Sequence, residues 1–419
     1  MNAKTLTNKA IKLFEDGKFD AVIEIVGAVT VDSITPDLIN LKALSYKNKA
    51  DFNTAIKIYK DALEFEKHPV YFGNLGNIYK ATGRVRDAIV LYKEAIAGNP
   101  DEYNFHESLG LSFMDTGELM DARSCFEKCQ ELQPDRESGR YLLGTIYRKQ
   151  SQWEKAVSYL KNCSTNKAKS HMLECLYYLN DRQTFEAALA EVPQEELVTP
   201  LAGCVAAHAS WRFGTQFRNY FCKAPMNAVG VSEVSESEGL TDKLIGEIIS
   251  LYDDGVLDDL HQPLLSEGKQ SAGNIFLLDV PAISDLKNII EKKIDSYREK
   301  LRARNEGFID QWPEKFHLYG WLVSMTSGGS LNSHIHKEGW VSGSLYLQAP
   351  ENSRGKEAAI SFCLDGADYP TDNMNFPEKY VKVEKRKICM FPSSLFHKTT
   401  KFNSGGRRIT LAFDVIPLG

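Results

Sequence analysis

Residues 334–338 read His-Ile-His-Lys-Glu, and His397 closes the later run Met-Phe-Pro-Ser-Ser-Leu-Phe-His. In an extended chain His334, His336 and Glu338 would share one face, because side chains alternate along a strand. Two histidines and one carboxylate on one side of an ion are the donors of a non-haem Fe(II) centre, whose other side stays open for oxygen and a bidentate cosubstrate. His336 and Glu338, joined by His397 from a neighbouring strand, supply such a set. Arg408 lies some ten positions beyond His397, placed to hold the far carboxylate of 2-oxoglutarate through two parallel N–H bonds. Arg407 would then face the other side of the strand. His336 and His397 anchor the set, while His334 and Glu338 compete for the remaining place. Ser342, Tyr346 and Tyr319 are candidates for the pocket wall, although aromatic strand residues more often pack in a core. His317, His261 and Gln270 are weaker candidates. Asp365 and Asp368 in Phe-Cys-Leu-Asp-Gly-Ala-Asp-Tyr-Pro suit a turn.

Strands must carry these residues. From about residue 315 the runs FHLYGWLVSM, WVSGSLYLQ, AAISFCL, KYVKVEK, KICMFP and RRITLAFDVI are rich in aromatic and β-branched residues and are separated by turn formers. Short strands at this spacing predict a sandwich or barrel. Two amphipathic helices precede them: LTDKLIGEIISLYDD, with Thr241 as N-cap, and PAISDLKNIIEKKIDSYREKLRARN, with Ser284 as a candidate cap. Both would pack on the outside of the sheet. Residues 193–240 break the pattern with two prolines and an aromatic stretch, and VSEVSESEG reads as an exposed acidic loop.

The first part of the chain repeats itself. Gly76, Gly110 and Gly144 recur every 34 residues, each preceded by Leu and followed three residues later by Tyr79, Phe113 or Tyr147. Ala88, Ala122 and Ala156 keep the same period, as do the bulky Tyr92, Phe126 and Leu160. Ala21 and Ala55 extend it toward the N-terminus, and Ala187 suggests a shortened last unit. Two helices per period explain the letters: small residues sit where helices approach closely, and large ones fill the groove. Pro100 and Pro134 close two units.

This pattern resembles the tetratricopeptide repeat family over roughly residues 5–190. The resemblance implies a superhelical solenoid whose concave groove binds a protein or peptide. HIHKEGWVSGSLYL followed by MFPSSLFHKTTKFNSGGRRITLAFDV resembles an iron- and 2-oxoglutarate-dependent oxygenase family over about residues 315–417. That family pattern carries both histidines of His-x-His, whereas the position of Glu338 is usually not acidic. It implies a double-stranded β-helix, or jelly roll, with the metal at its mouth and Arg408 on the cosubstrate. The cofactors implied are Fe(II) and 2-oxoglutarate, with ascorbate a candidate reductant. The reaction implied is hydroxylation of a substrate C–H bond with conversion of 2-oxoglutarate to succinate; no catalytic group beyond the metal centre is indicated.

The expected architecture is thus two-domain, α plus β: a repeat array over 1–192, a junction over 193–240 and a jelly roll with flanking helices over 241–419. The competing reading is a non-enzymatic jelly-roll binding module on the same scaffold. A net charge of −6 and a pI near 5.9 argue against a nucleic-acid partner. No apolar run is long enough to span a membrane, and the N-terminus lacks the apolar stretch of a secretion signal. A cytoplasmic location is therefore expected, with the eight scattered cysteines as buried reduced thiols. Oligomeric state is not legible.

Overall fold

The computed structural model describes residues 3–30, 34–49, 51–82, 84–257, 259–260, 262–351 and 353–418. His261 lies outside them. The chain divides into two compact units, Met1–Gln152 and Trp153–Gly419. The division falls inside the span read above as the repeat array.

The first unit is helical: α1 (Ala3–Glu15), α2 (Phe19–Gly27), α3 (Pro36–Asn48), α4 (Phe52–Phe65), α5 (Pro69–Ala81), α6 (Val85–Gly98), α7 (Tyr103–Thr116), α8 (Leu119–Leu132) and α9 (Glu137–Lys149). The repeating letters act as predicted. A β-carbon on Gly76 would stand 2.8 Å from the Tyr92 ring, and one on Gly110 would stand 2.5 Å from the Phe126 ring. Each glycine therefore lets α5 or α7 lie against the aromatic of α6 or α8, and both rings are fully buried. Local signals set the ends. Thr35 caps α3 through Leu38 N–H, with Pro36 in the first turn, and Gly117 stops α7 at φ +84°.

The second unit opens with four helices: α10 (Trp153–Leu160), α11 (Asn166–Tyr178), α12 (Arg182–Glu191) and α13 (Pro200–Phe213). The prolines of the supposed break are thus partly a start signal, since Pro200 sits in the first turn of α13 behind the Thr199 cap. There follow β1 (Gly230–Glu233), α14 (Asp242–Asp253), β2 (Asp259–Leu260), β3 (Leu265–Ser271), α15 (Pro281–Leu301) and α16 (Gly307–Asp310). The remaining strands are β4 (Phe316–His334), β5 (Val341–Gln348), β6 (Ile360–Cys363), β7 (Glu378–Val381), β8 (Lys387–Pro392), β9 (Phe396–Thr399) and β10 (Arg408–Pro417).

The strands form one curled antiparallel sheet of jelly-roll type, in the order β1-β8-β5-β10-β4-β9-β6-β7, with β3 also on β4. The long β4 makes the curl. Its first half pairs with β10, and its end, beyond a bend at Gly328 (φ +85°), pairs with β9. The strands alternate cleanly. Leu318 and Leu322 of β4 and Ile409, Leu411, Phe413 and Val415 of β10 pack with Leu244 and Ile248 of α14 and Leu286, Ile290 and Ile294 of α15. Each such side chain contributes roughly 1.5–3 kcal/mol by leaving water, so this layer holds the helices to the outer face. The opposite face is left for the site.

Three local expectations are corrected. Ser284 is not a cap: α15 starts earlier, at Pro281, whose fixed φ suits a first turn. The acidic segment is not all loop, because Gly230–Glu233 forms edge strand β1 against β8 and Ser235 and Glu238 then close a capping box. The stretch 334–338 is not extended, since β4 ends at His334 and the Gly339 N–H donates to His336 O in a tight turn. Thr241 does cap α14. All eight cysteines are buried and unbridged. Among the described residues no helix is long and apolar enough to cross a membrane.

Candidate metal and cosubstrate site

The β4–β9 register sets His334 directly opposite His397. Across β9, His397 also faces Phe362 of β6. His336, in the turn after β4, swings back to the same place. The ring centroids of His334, His336 and His397 lie 4.3–5.2 Å apart. One nitrogen from each lies within 4.8 Å of the others, a spacing that one ion can bridge. Among the described residues no other group of three His, Cys, Asp or Glu side chains meets that condition.

Hydrogen bonds orient each ring. His334 Nδ1 is 2.8 Å from Asn332 O, and His397 Nδ1 is 3.2 Å from Leu395 O. A carbonyl only accepts, which puts the proton on Nδ1 and leaves the Nε2 lone pair free. His336 Nδ1 is 2.6 Å from Asp414 Oδ1, which does the same for its ring. Burial holds His397 well below the usual imidazole range and lowers His334 to about 4, with the neighbouring rings adding to the effect. His334 is partly exposed and lines a cavity. Neutral imidazoles are what a metal requires.

The histidines line a cavity of about 570 Å³ on the inner face of the sheet. Strand alternation brings Arg408, Thr410, Ala412, Asp414 and Ile416 of β10 to it, with His317, Tyr319, Trp321, Val323 and Met325 of β4. Arg408 is 3% exposed, and its partners are all neutral: Ala358 O at 3.1 Å, Thr410 Oγ1 at 3.4 Å and Tyr346 Oη at 3.5 Å. Among the described residues no carboxylate pairs with it, and burial lowers its pKa. A buried cation without an anion is costly, and an anion beside Arg408 would relieve that cost. Arg407 points the other way, into a two-bond contact with Asp253 at 2.7–2.8 Å.

Residues 319–414 match the family model described as "Putative 2OG-Fe(II) oxygenase". Tetratricopeptide repeat models match residues 36–68, 72–102, 103–136 and 140–170. The chain thus carries repeats followed by an oxygenase-family domain. Two curated relatives, both called "Photosystem I assembly protein Ycf3", come from Prochlorococcus marinus strains NATL2A and NATL1A. They are 28% and 27% identical over 123 residues, which is 28% of this chain and 71% of each relative. Among solved structures, "Functional Characterization of Pseudomonas Aeruginosa pilF" aligns with a TM-score of 0.41 at 16% identity, covering 45% of this chain and 89% of that one. A thermophilic tetratricopeptide protein of Thermus thermophilus aligns with a TM-score of 0.33 at 18% identity, covering 45% and 99%.

Within the oxygenase-family domain the other named residues fall into place. Glu338 lines the rim, yet its carboxylate turns outward to Lys167 Nζ at 2.7 Å, and it is not one of the converging group. Ser342 and Tyr346 stand behind the cavity wall. The Ser342 hydroxyl donates to Asp414 Oδ1 at 2.7 Å, and the Tyr346 ring lies 5.0 Å below the Arg408 guanidinium. Tyr319, His317 and Gln270 do line the cavity. Asp368 sits in a turn, at φ +56°. Asp414 escaped the sequence reading. Its signal was a single acidic residue inside the apolar strand Leu-Ala-Phe-Asp-Val-Ile. A roomier hollow of about 790 Å³ beside Trp211 and Phe217 carries no histidine or carboxylate and offers no such chemistry.

Proposed function

We propose that this protein is an Fe(II)- and 2-oxoglutarate-dependent oxygenase, a hydroxylase, whose repeat array docks a protein or peptide. The observation that carries the reading is the pairing, in one cavity, of three converging histidines with a buried arginine that no carboxylate among the described residues pairs with. The donor set fits a divalent first-row ion. Imidazole suits Fe(II), three donors leave open positions, and all three Nδ1 atoms are held from behind. His334, His336 and His397 would hold the ion. Glu338, paired with Lys167, is not needed. Bound Fe(II) would supply activation of oxygen coupled to the oxidative decarboxylation of 2-oxoglutarate to succinate, with hydroxylation of the substrate.

The chain's own residues do the rest. Arg408 binds the distal carboxylate and so sets the direction in which the keto acid points. Tyr346 lies against the guanidinium face and fixes its plane. Asp414 and Ser342 hold the His336 ring. Val323 and Met325, opposite Thr410 and Arg408 across the β4–β10 register, keep water from the Arg408 end, which strengthens its hold on an anion. Tyr319, Trp321 and His317 form the wall on which a substrate would lie. A cytoplasmic setting and ascorbate as reductant belong to the same proposal.

The test is turnover of 2-oxoglutarate to succinate by the Fe(II)-loaded chain, with His397→Ala as the inactive control. An all-nitrogen donor set also suits Zn(II), which favours, as a second reading, a jelly-roll module that binds metal without catalysis. A 2-oxoglutarate titration separates the two: metal-dependent binding supports the oxygenase, and its absence supports the module.

A further inference from the structure

Helix α11 grips the turn that carries His336. Lys337 and Glu338 occupy its two corners, between the His336 carbonyl and the Gly339 N–H that close it at 3.2 Å. Both corner side chains are taken by α11, with opposite polarity. Glu174 Oε1 accepts from Lys337 Nζ at 2.8 Å, and Lys167 Nζ reaches Glu338 Oε1 at 2.7 Å. Residues 167 and 174 are two turns apart and so share one helix face, about 10 Å from each other along the axis.

The two pairs differ in weight. The Glu174 side chain is 2% exposed, and its Oε1 also accepts from Tyr369 Oη at 2.9 Å. Lys167 and Glu338 are half exposed or more. A buried carboxylate is tolerated only with charge compensation, so Glu174 demands the Lys337 ammonium and draws it away from the cavity it lines. The other side of the histidine cluster is tied to α11 and to α13. Ser333 Oγ, next to His334, donates to Asp365 O. The loop after Asp365 is fastened by Tyr178 Oη to Ala367 O, by Arg212 to Asp372 and by Trp211 Nε1 to Asn375 O.

We infer that Glu174 is a positioning residue of the metal site: by holding Lys337 it sets the turn that presents His336 and keeps an ammonium away from the place of the ion. This rests on the reading of His334, His336 and His397 as metal ligands. It makes helix α11 part of the site rather than a spacer, and predicts that metal affinity depends on a residue from the helical segment.

The test uses the full-length apo chain and Co(II), an ion for imidazole sites whose visible absorption reports coordination geometry. Glu174→Gln keeps the shape and loses the charge, and is expected to weaken Co(II) binding about tenfold, the usual scale for an outer-shell partner, with altered bands. The reversed pair Glu174→Lys with Lys337→Glu is expected to recover most of the loss. Wild-type affinity and bands in Glu174→Gln, measured where both proteins are folded, overturn the inference, as does a reversed pair no better than Glu174→Lys alone. Should the Glu174 variants not fold, the exposed pair decides. Lys167→Glu is expected to weaken Co(II) by a few-fold and adding Glu338→Lys to restore it, whereas unchanged binding in Lys167→Glu overturns the inference. A wild-type chain that binds no Co(II) sinks the metal reading itself, and this inference with it.

Discussion

Asp414 Oδ1 stands 2.6 Å from His336 Nδ1, so the carboxylate nearest the histidine cluster lies behind a ring instead of beside the ion. The same oxygen accepts from the Ser342 hydroxyl, and Ser342 shares a further bond with Ser393 at 2.7 Å. The network reaches β5, β10 and the loop after β8. It holds the imidazole in one tautomer and one plane.

Asp414→Asn should therefore weaken metal binding while leaving the fold intact. An amide supports the Nδ1–H less well and no longer enhances the basicity of Nε2. The expected loss is about 10- to 100-fold in metal affinity, read by Co(II) or Fe(II) titration, with unchanged far-ultraviolet dichroism. Equal affinity in the variant would mean that Asp414 serves packing alone.

Arg408 makes a prediction with two opposite signs. Removing one partner of a buried charge pair costs about 2–5 kcal/mol, so Arg408→Met should raise the KM for 2-oxoglutarate thirtyfold or more. Without ligand, however, the guanidinium is a buried charge with only neutral acceptors, and a thioether of similar reach relieves that cost. The variant's melting temperature should match or exceed that of the unliganded wild type. A wild-type KM in Arg408→Met would remove Arg408 from the cosubstrate site, and a large fall in stability would remove the argument about unpaired charge.

Much of this was legible in the sequence, for identifiable reasons. Gly110 and Phe126 showed themselves because a 34-residue period repeats one packing solution, so each letter is read several times. The strands around Tyr319, Leu345 and Leu411 showed themselves as aromatic and β-branched runs bounded by turn formers. Strand β9 was expected only as the neighbouring strand of His397, without bounds, since four residues are too few for a pattern to register. The turn at 336–339 was missed because nothing local announces it. Gly339 is needed there by a distant contact: a β-carbon would meet Ser393 Oγ at 2.8 Å and the Asp414 carboxyl at 3.0 Å. Glu338 looked like a ligand because i, i+2, i+4 spacing implies one face only while the strand continues. Asp414 and Glu174 act across long sequence separations, where spacing carries no information.

Gly110→Ala tests the repeat packing. Alanine is the better helix former by about 1 kcal/mol, but its methyl would stand 2.5 Å from a fully buried Phe126 ring. Overpacking of a tight interior costs about 1–3 kcal/mol, so the clash wins and the variant should unfold at lower urea. Adding Phe126→Leu, which retracts the ring edge, should make the alanine less harmful than it is alone. Additive effects of the two changes would refute a direct contact.

His208 should make the protein lose stability on mild acidification. The ring is fully buried, with Nδ1 2.6 Å from Tyr177 Oη. Its Nε2 is 3.5 Å from Asp365 Oδ1 and forms no hydrogen bond there, so burial outweighs that carboxylate and lowers the pKa from 6.5 to about 4. The folded state thus keeps His208 neutral where the unfolded chain takes up a proton. The stabilisation is complete above pH 6.5 and falls as the pH drops toward 4, by up to about 1.4 kcal/mol per pH unit for one group. His334 and His397, shifted the same way, add to the slope. The comparison with His208→Gln isolates this one residue: urea midpoints measured from pH 7.5 to 4.5 should fall less steeply in the variant, and parallel profiles would show that His208 is not the group that titrates.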